Sequence, residues 1–318
     1  MAFPFSFRNS FFAAGPALLA LGLGGFTGCQ LVSPAPAGSV PGDEIIVAGK
    51  RIHTGTRVVT WLQPGGYNAY LGGTKPSPRT PPPGAKVKPV ASGEPDLAAL
   101  RGMVDQFVLH YDGCGLSRVC FERLRDRGLS VHFLLDLDGT IYQTLELRER
   151  AAHATIANDR SIGIEIANIG AYEPAEADVL NDWYARDADG RTAIRLPKRA
   201  GPPAFLAQGY LGRPARPGIV RGVLQEKELA QYDFTPEQYA ALIKLTATLC
   251  TVFPRIKADY PHDASGRLIT RKLPDATWAA YQGILGHYHV QANKVDPGPA
   301  LQWNKLVEGV RQLKPGSK

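Results

Sequence analysis

The sequence predicts an α/β protein, with one mixed central β-sheet flanked by helices, an inserted loop-rich lobe and a small N-terminal β-like extension. Along residues 96–318, short apolar runs of strand-like composition alternate with amphipathic stretches. Such alternation builds a sheet with helices on its faces. "VHFLLDLDGTIYQTLE" sets two of these runs around Asp138-Gly139, a strong short-range hairpin signal. A helix starts after Thr235, which can cap it, with Pro236 in the first turn and Gln238 completing a capping box. Leu242, Leu245, Leu249 and Phe253 then form one apolar stripe.

At the N-terminus, "MAFPFSFRNSFFAAGPALLALGLGGFTGCQ" carries one positive charge, Arg8, then an apolar run to Gly25 and small residues before Cys29. Residues 1–28 therefore read as an export signal, outside the fold. Phe26-Thr27-Gly28-Cys29 resembles a bacterial lipoprotein cleavage box, which implies lipidation of Cys29. Acyl chains add about 0.8 kcal/mol per buried CH₂, enough to tether a chain to a membrane surface. The expected location is exported, periplasmic or cell-envelope, anchored by lipid, with the outer membrane as the favoured surface.

Residues 29–43 read as a tether, 44–72 as a small β-like extension and 73–95 as a proline-rich linker. His53 has no partner pattern and reads as surface. The main domain spans 96–318. In it "QFVLHYD" reads as a buried strand ending at His110, "SRVCFERLRDRG" as a helix, and "SIGIEIANIG" as another strand. Residues 171–234 form the inserted lobe, whose Trp183 and Tyr184 are candidates for a cleft wall. "GILGHYHV" reads as the last strand, and Pro299 opens a closing helix that buries Trp303, Leu306, Val307 and Val310.

The chain has 318 residues, 44% hydrophobic and 20% charged, ordinary for a folded domain. Loss of residues 1–28 removes one arginine and no acid, taking the net charge from +7 to +6. The basic residues are scattered and no nucleic-acid motif is present, so nucleic acid is not an expected partner. In an exported chain Cys114 and Cys120 can close a short disulfide loop, worth about 2 kcal/mol by loop entropy. Cys250 sits at helical apolar spacing and reads as a small buried hydrophobe.

His110 ends one strand, His287 ends a distant one and Asp296 follows in "KVDPGPA". Such residues can meet at one sheet edge. Zinc takes imidazole nitrogen and carboxylate oxygen at about 2.0–2.2 Å, and its catalytic sites use three protein ligands and keep one position open. Taken singly, a histidine in an apolar strand is more often packed, and an Asp before Pro-Gly is more often a turn. His289 would share the face of His287 on a regular strand and offers an alternative ligand. Glu165 lies among Ile162, Ile164 and Ile166, where an unpaired carboxylate is costly.

"FVLHYDG", "VHFLLDLDGTIYQ", "NDRSIGIEIANIG" and "GHYHVQANKVDPGPALQW" together resemble, in order, the signatures of type 2 zinc N-acetylmuramoyl-L-alanine amidases. That family takes in phage lysozyme-type amidases and peptidoglycan recognition proteins. The resemblance covers roughly residues 100–170 and 235–313. It implies Zn²⁺ held by His110, His287 and Asp296, with Glu165 as general base and acid and Lys294 steadying an oxyanion. The spacing from His287 to Asp296 is one residue shorter than the family pattern, which tightens residues 291–293. His132 and His153 fall in family-like contexts, as cleft residues or supports of the ligands. The resemblance also implies a Cys114–Cys120 disulfide bracing the His110 loop. The activity implied is hydrolysis of the amide between N-acetylmuramic acid and L-alanine in peptidoglycan or its fragments. A non-catalytic peptidoglycan-binding module of the same fold is the alternative.

Overall fold

The computed structural model describes residues 42–72, 77–81, 96–204 and 209–313. The expected export signal, Cys29 and most of the tether lie outside them. Strands β1 (Glu44–Val47) and β2 (Lys50–His53) form a hairpin, β3 (Val58–Thr60) follows, and β4 (Ser77–Pro78) is a short strand within the expected linker. Then come α1 (Leu97–Met103), β5 (Gln106–Tyr111), α2 (Ser117–Asp126), β6 (Phe133–Leu135), β7 (Ile141–Gln143), β8 (Glu149–Arg150) and β9 (Ser161–Ile166). The inserted lobe holds α3 (Val179–Trp183), β10 (Tyr184–Arg186), β11 (Thr192–Ile194), β12 (Ile219–Leu224) and β13 (Lys227–Tyr232). The remainder is α4 (Pro236–Val252), α5 (Asp275–Ala280), β14 (Gly283–Gly286), α6 (His287–Val290) and α7 (Trp303–Leu313).

The main sheet has six strands in the order β14-β5-β9-β6-β7-β3. β14, β5, β9 and β6 run parallel, whereas β6 and β7 are antiparallel around the Asp138-Gly139 turn. Phe107, Val108 and Leu109 of β5 are all fully buried, as expected of a parallel strand covered on both faces. Side chains alternate between the faces of a strand. Phe107, Leu109, Ile162 and Ile164 therefore face one core with Leu242, Leu245 and Leu249 of α4 and Leu306, Val307 and Val310 of α7. Val108, His110, Gly163 and Glu165 turn to the other face, since register pairs Val108 with Gly163 and His110 with Glu165. The predicted capping box at Thr235 is formed: Gln238 N donates to Thr235 Oγ1 at 3.0 Å and Thr235 N to Gln238 Oε1 at 2.9 Å.

Residues 44–72 carry β1 to β3, and β3 pairs in parallel with β7 as an edge of the main sheet. Three expectations are corrected. The last strand stops at Gly286, and His287–Val290 is helical, its start closed by Gly286 N donating to His289 Nδ1 at 2.9 Å. The final helix begins at Trp303 rather than Pro299, since residues 297–300 are spent on a turn. His53 has a partner, Asp43 Oδ1, at 2.7 Å.

Candidate active site

The parallel strands deliver the predicted ligands to one place. His110 is the penultimate residue of β5, and Gly286, paired with Leu109, puts His287 directly beside it. The two imidazoles stand edge to face, with ring centres 4.5 Å apart. Asp296 reaches them on a loop fixed by Tyr288 N donating to Asp296 O at 3.2 Å. Gln231 of the inserted lobe locks the same loop. Its Nε2 donates to Pro297 O at 3.1 Å and its Oε1 accepts from Ala300 N at 3.0 Å. Gly298 has φ +86°, and a Cβ there would stand 2.1 Å from Gln231 Oε1, so no larger residue fits without displacing this clamp.

His110 Nδ1 lies 2.8 Å and His287 Nδ1 2.9 Å from the same oxygen, Asp296 Oδ2. The donor atoms of the three buried residues all lie within 4.8 Å of one another. His287 Nε2 faces Gln291 Oε1 at 2.6 Å, and a carbonyl oxygen there fixes the ring proton on Nε2. The Nδ1 lone pair is then turned toward a carboxylate oxygen, an arrangement that a cation between them resolves. Burial, and then the charge of His287, lower the pKa of His110 to about 4, so its ring is neutral at pH 7. Burial works to raise the pKa of Asp296, but the two histidines against its Oδ2 hold it below the usual carboxylate range. A neutral His110 ring beside an ionised Asp296 is the state metal ligation requires, and two imidazole nitrogens meeting one carboxylate oxygen fit a divalent ion.

These three residues open onto a cleft of about 330 Å³, which Glu165, Lys294, Asp112, Arg123 and His153 also line. Burial, then the nearby Asp296 and Asp112 carboxylates, push the Glu165 carboxyl well above its ordinary range, and Lys294 opposes them. The turn holding Lys294 is tight, with its N–H donating to Gln291 O at 3.2 Å.

Other candidates separate clearly. His153 lies behind the site, its Nδ1 3.0 Å from His110 Nε2 and its Nε2 3.1 Å from Ser161 Oγ. A Cβ on Gly163 would meet the His153 ring at 2.5 Å, so only glycine lets the ring lie against β9. His289 is not a ligand: it is fully buried, and its Nε2 faces Ile269 O at 2.7 Å while Nδ1 accepts from Gly286. The helical turn at 287–290 is the reason, because it swings His289 off the face of His287. His132 is fully buried as well and is not among the residues that line this cleft. Trp183 and Tyr184 are packed inside the lobe rather than on the cleft wall. Trp183 instead lies against Gly115, where a Cβ would stand 2.4 Å from its ring.

The disulfide is not formed: Cys114 and Cys120 are buried free thiols. The two are close enough that the hydrogen bond the Cys120 thiol donates to Cys114, and then burial, raise that thiol well above its ordinary pKa. The His110 loop is braced instead by Asp112, whose Oδ1 accepts from Cys114 N and Gly115 N at 2.9 Å and from Asn168 N at 3.1 Å. Sequence reasoning missed Asp112, Gln231 and Gln291. Asp112 and Gln291 had a local signal: the first follows His110 by two residues before a glycine, and the second follows His287 by four. Gln231 had none.

Together the sheet and its edge define a class: an α/β protein with a candidate metal centre where parallel strands end. The chain belongs to the N-acetylmuramoyl-L-alanine amidase family, whose model matches residues 100–299. No curated protein matches the chain. Among solved structures, the E. coli N-acetylmuramyl-L-alanine amidase AmiD, in complex with anhydro-N-acetylmuramic acid-L-Ala-D-gamma-Glu-L-Lys, is similar at 18% identity and TM-score 0.36. That match covers 65% of this chain, which spans only 57% of AmiD. The amidase LysC from Clostridium intestinale URNW matches at 13% identity over 80% of this chain and 97% of its own, with TM-score 0.36. Drosophila peptidoglycan recognition protein SD matches at 16% identity over 83% and 97%, with TM-score 0.31.

Proposed function

We propose that the chain hydrolyses the amide between N-acetylmuramic acid and L-alanine in peptidoglycan or its fragments, with Zn²⁺ held by His110, His287 and Asp296. The observation that carries this reading is the convergence of two Nδ1 atoms on one Asp296 oxygen, at 2.8 and 2.9 Å, on a cleft that Glu165 and Lys294 also line. When bound, such an ion supplies Lewis acidity and makes water nucleophilic near neutral pH.

The remaining roles fall to the chain's own groups. Glu165 takes a proton from the attacking water and returns it to the departing amine of L-alanine. Its burial beside Asp296 favours holding that proton between the two events. Lys294 stabilises negative charge as it grows on the carbonyl oxygen, and a partly buried cation does this better than one in open water. Gln291 holds the proton of His287 on Nε2, and His153 backs Nε2 of His110, so both rings keep Nδ1 turned to the cleft.

The same reading has the chain exported and lipid-anchored at Cys29, at the outer membrane, where peptidoglycan lies within reach; the support is the sequence pattern of residues 1–29. Purified mature chain incubated with muropeptides should release L-alanine-headed stem peptides, stop when a chelator is added and resume on addition of Zn²⁺. Binding without cleavage in the Zn²⁺-loaded protein would overturn the enzyme reading.

A further inference from the structure

A guanidinium is buried behind the candidate centre. Arg79, within the proline-rich stretch expected to be a linker, is 2% exposed. β4 brings it there by pairing with β8, Ser77 against Arg150 and Pro78 against Glu149. Arg79 forms no ion pair among the described residues; backbone carbonyls surround it. Nε donates to Leu147 O at 3.1 Å, and Nη1 points to Asn158 O and Asp159 O at 3.1 Å and to Ser161 O at 2.9 Å. Burial lowers its pKa to about 10, so it stays charged at pH 7. A buried charge is costly unless hydrogen bonds compensate it, and here a ring of carbonyls is built to do so.

We propose that Arg79 is a positioning residue of this centre: it fixes the supports of His153, and through His153 sets the orientation of His110. The proposal rests on the amidase reading for its catalytic consequence.

Each support of His153 touches Arg79 or a neighbour of it. Asn158 and Ser161 give their carbonyls to the guanidinium and their side chains to His153. Asn158 Oδ1 accepts from His153 N at 3.1 Å, and Ser161 Oγ lies 3.1 Å from His153 Nε2. The third support is the backbone of Gly163, against which the His153 ring lies. Gly163 N donates to His132 Nδ1 at 3.1 Å, so the neutral ring of His132 carries its proton on Nε2, aimed at Glu149 O at 3.0 Å. Arg79 Nη2 lies 2.9 Å from that Nε2. Burial, and next the Arg79 charge, hold the pKa of His132 well below its ordinary value and keep the ring neutral. One side chain thus binds the carbonyls of Asn158 and Ser161, whose side chains hold His153, and lies beside the His132 ring that accepts from Gly163 N.

Ring-nitrogen NMR of the metal-free chain, Zn²⁺ affinity measured against a chromophoric chelator, and muropeptide kinetics test this together. Arg79→Met should move the signals of His153 and His110, leave those of His289 and His262 in place, and weaken Zn²⁺ binding by about 10- to 100-fold. It should lower kcat while KM stays within about twofold, the split expected when positioning and not binding is lost. Arg79→Lys keeps the charge but lacks the planar fork of donors; it should give intermediate shifts and decides the matter if the Met variant does not fold. Unchanged His110 and His153 signals with Zn²⁺ affinity within about twofold of the parent, in a folded variant, would overturn the proposal. If the parent binds Zn²⁺ but cuts no muropeptide, the amidase reading fails, and the ring signals and affinities still judge Arg79.

Discussion

His110 and Glu165 are register partners on adjacent parallel strands, with their side chains on the same face of the sheet. The proposed ligand and the proposed proton carrier are thereby fixed on strands rather than on loops. Glu165→Gln keeps the shape and removes the proton chemistry. It should leave Zn²⁺ affinity within a few-fold of the parent and lower kcat by about 10²–10⁴-fold, as read by muropeptide turnover beside a metal titration. Full activity in that variant would mean the base is elsewhere.

Asp296 stands between the two Nδ1 atoms, so its carboxylate supplies the negative charge of the donor set. Asp296→Asn should weaken Zn²⁺ binding by about tenfold or more and abolish recovery of activity at micromolar Zn²⁺ after chelation. Recovery equal to the parent would remove Asp296 from the ligand set.

Gly163→Ala drives a methyl into the ring of His153, which must then shift away from His110. The fold should survive at a cost of about 1–3 kcal/mol, while activity falls further than stability alone accounts for. Urea unfolding compared with initial rates in native buffer separates the two effects.

Gln231 is fully buried and holds the Asp296 loop through Pro297 O and Ala300 N. Gln231→Leu leaves both groups unpaired and should cost about 1–3 kcal/mol, with a parallel loss of metal affinity. A variant as stable as the parent but with weakened Zn²⁺ binding would assign Gln231 to the centre alone.

His289 gives a pH dependence whose sign is fixed. Burial lowers its pKa from 6.5 to about 3, partly offset by its bond to Ile269. The unfolded chain therefore takes up a proton below pH 6.5 that the folded chain refuses until about pH 3, and stability falls as pH drops through this window. Metal-free parent should lose about 2 kcal/mol more than His289→Gln between pH 7 and pH 5. Equal losses, measured by urea unfolding at the two pH values, would mean that His289 already titrates near 6.5 in the fold.

Much of this was legible because it follows from periodicity and strong local signals. Buried parallel strands write continuous apolar runs, and the capping box at Thr235 needs only neighbours in sequence. His110, His287 and Asp296 could be placed together since each ends or follows such a run. What stayed hidden depends on partners far along the chain. β3 is three residues long, and its partner β7 lies about 80 positions away, so nothing local marks it as sheet. Gln231 and Arg79 are polar residues in lobe and linker composition, where burial is the exception. The alternative of His289 as a ligand has a local cause: it lies two positions after His287, and a strand and a helical turn point such neighbours in different directions.

The placement of β3 bears on how short this protein can be made. Because residues 58–60 cap the outer side of β7, a polypeptide trimmed to begin at residue 96 would bare a row of amide and carbonyl groups on β7 and lose the β4 pairing that brings Arg79 inside. Uncapped strands of that kind pair with their own kind, so such a fragment should self-associate in the concentrated state, whereas one starting at residue 42 should stay dispersed.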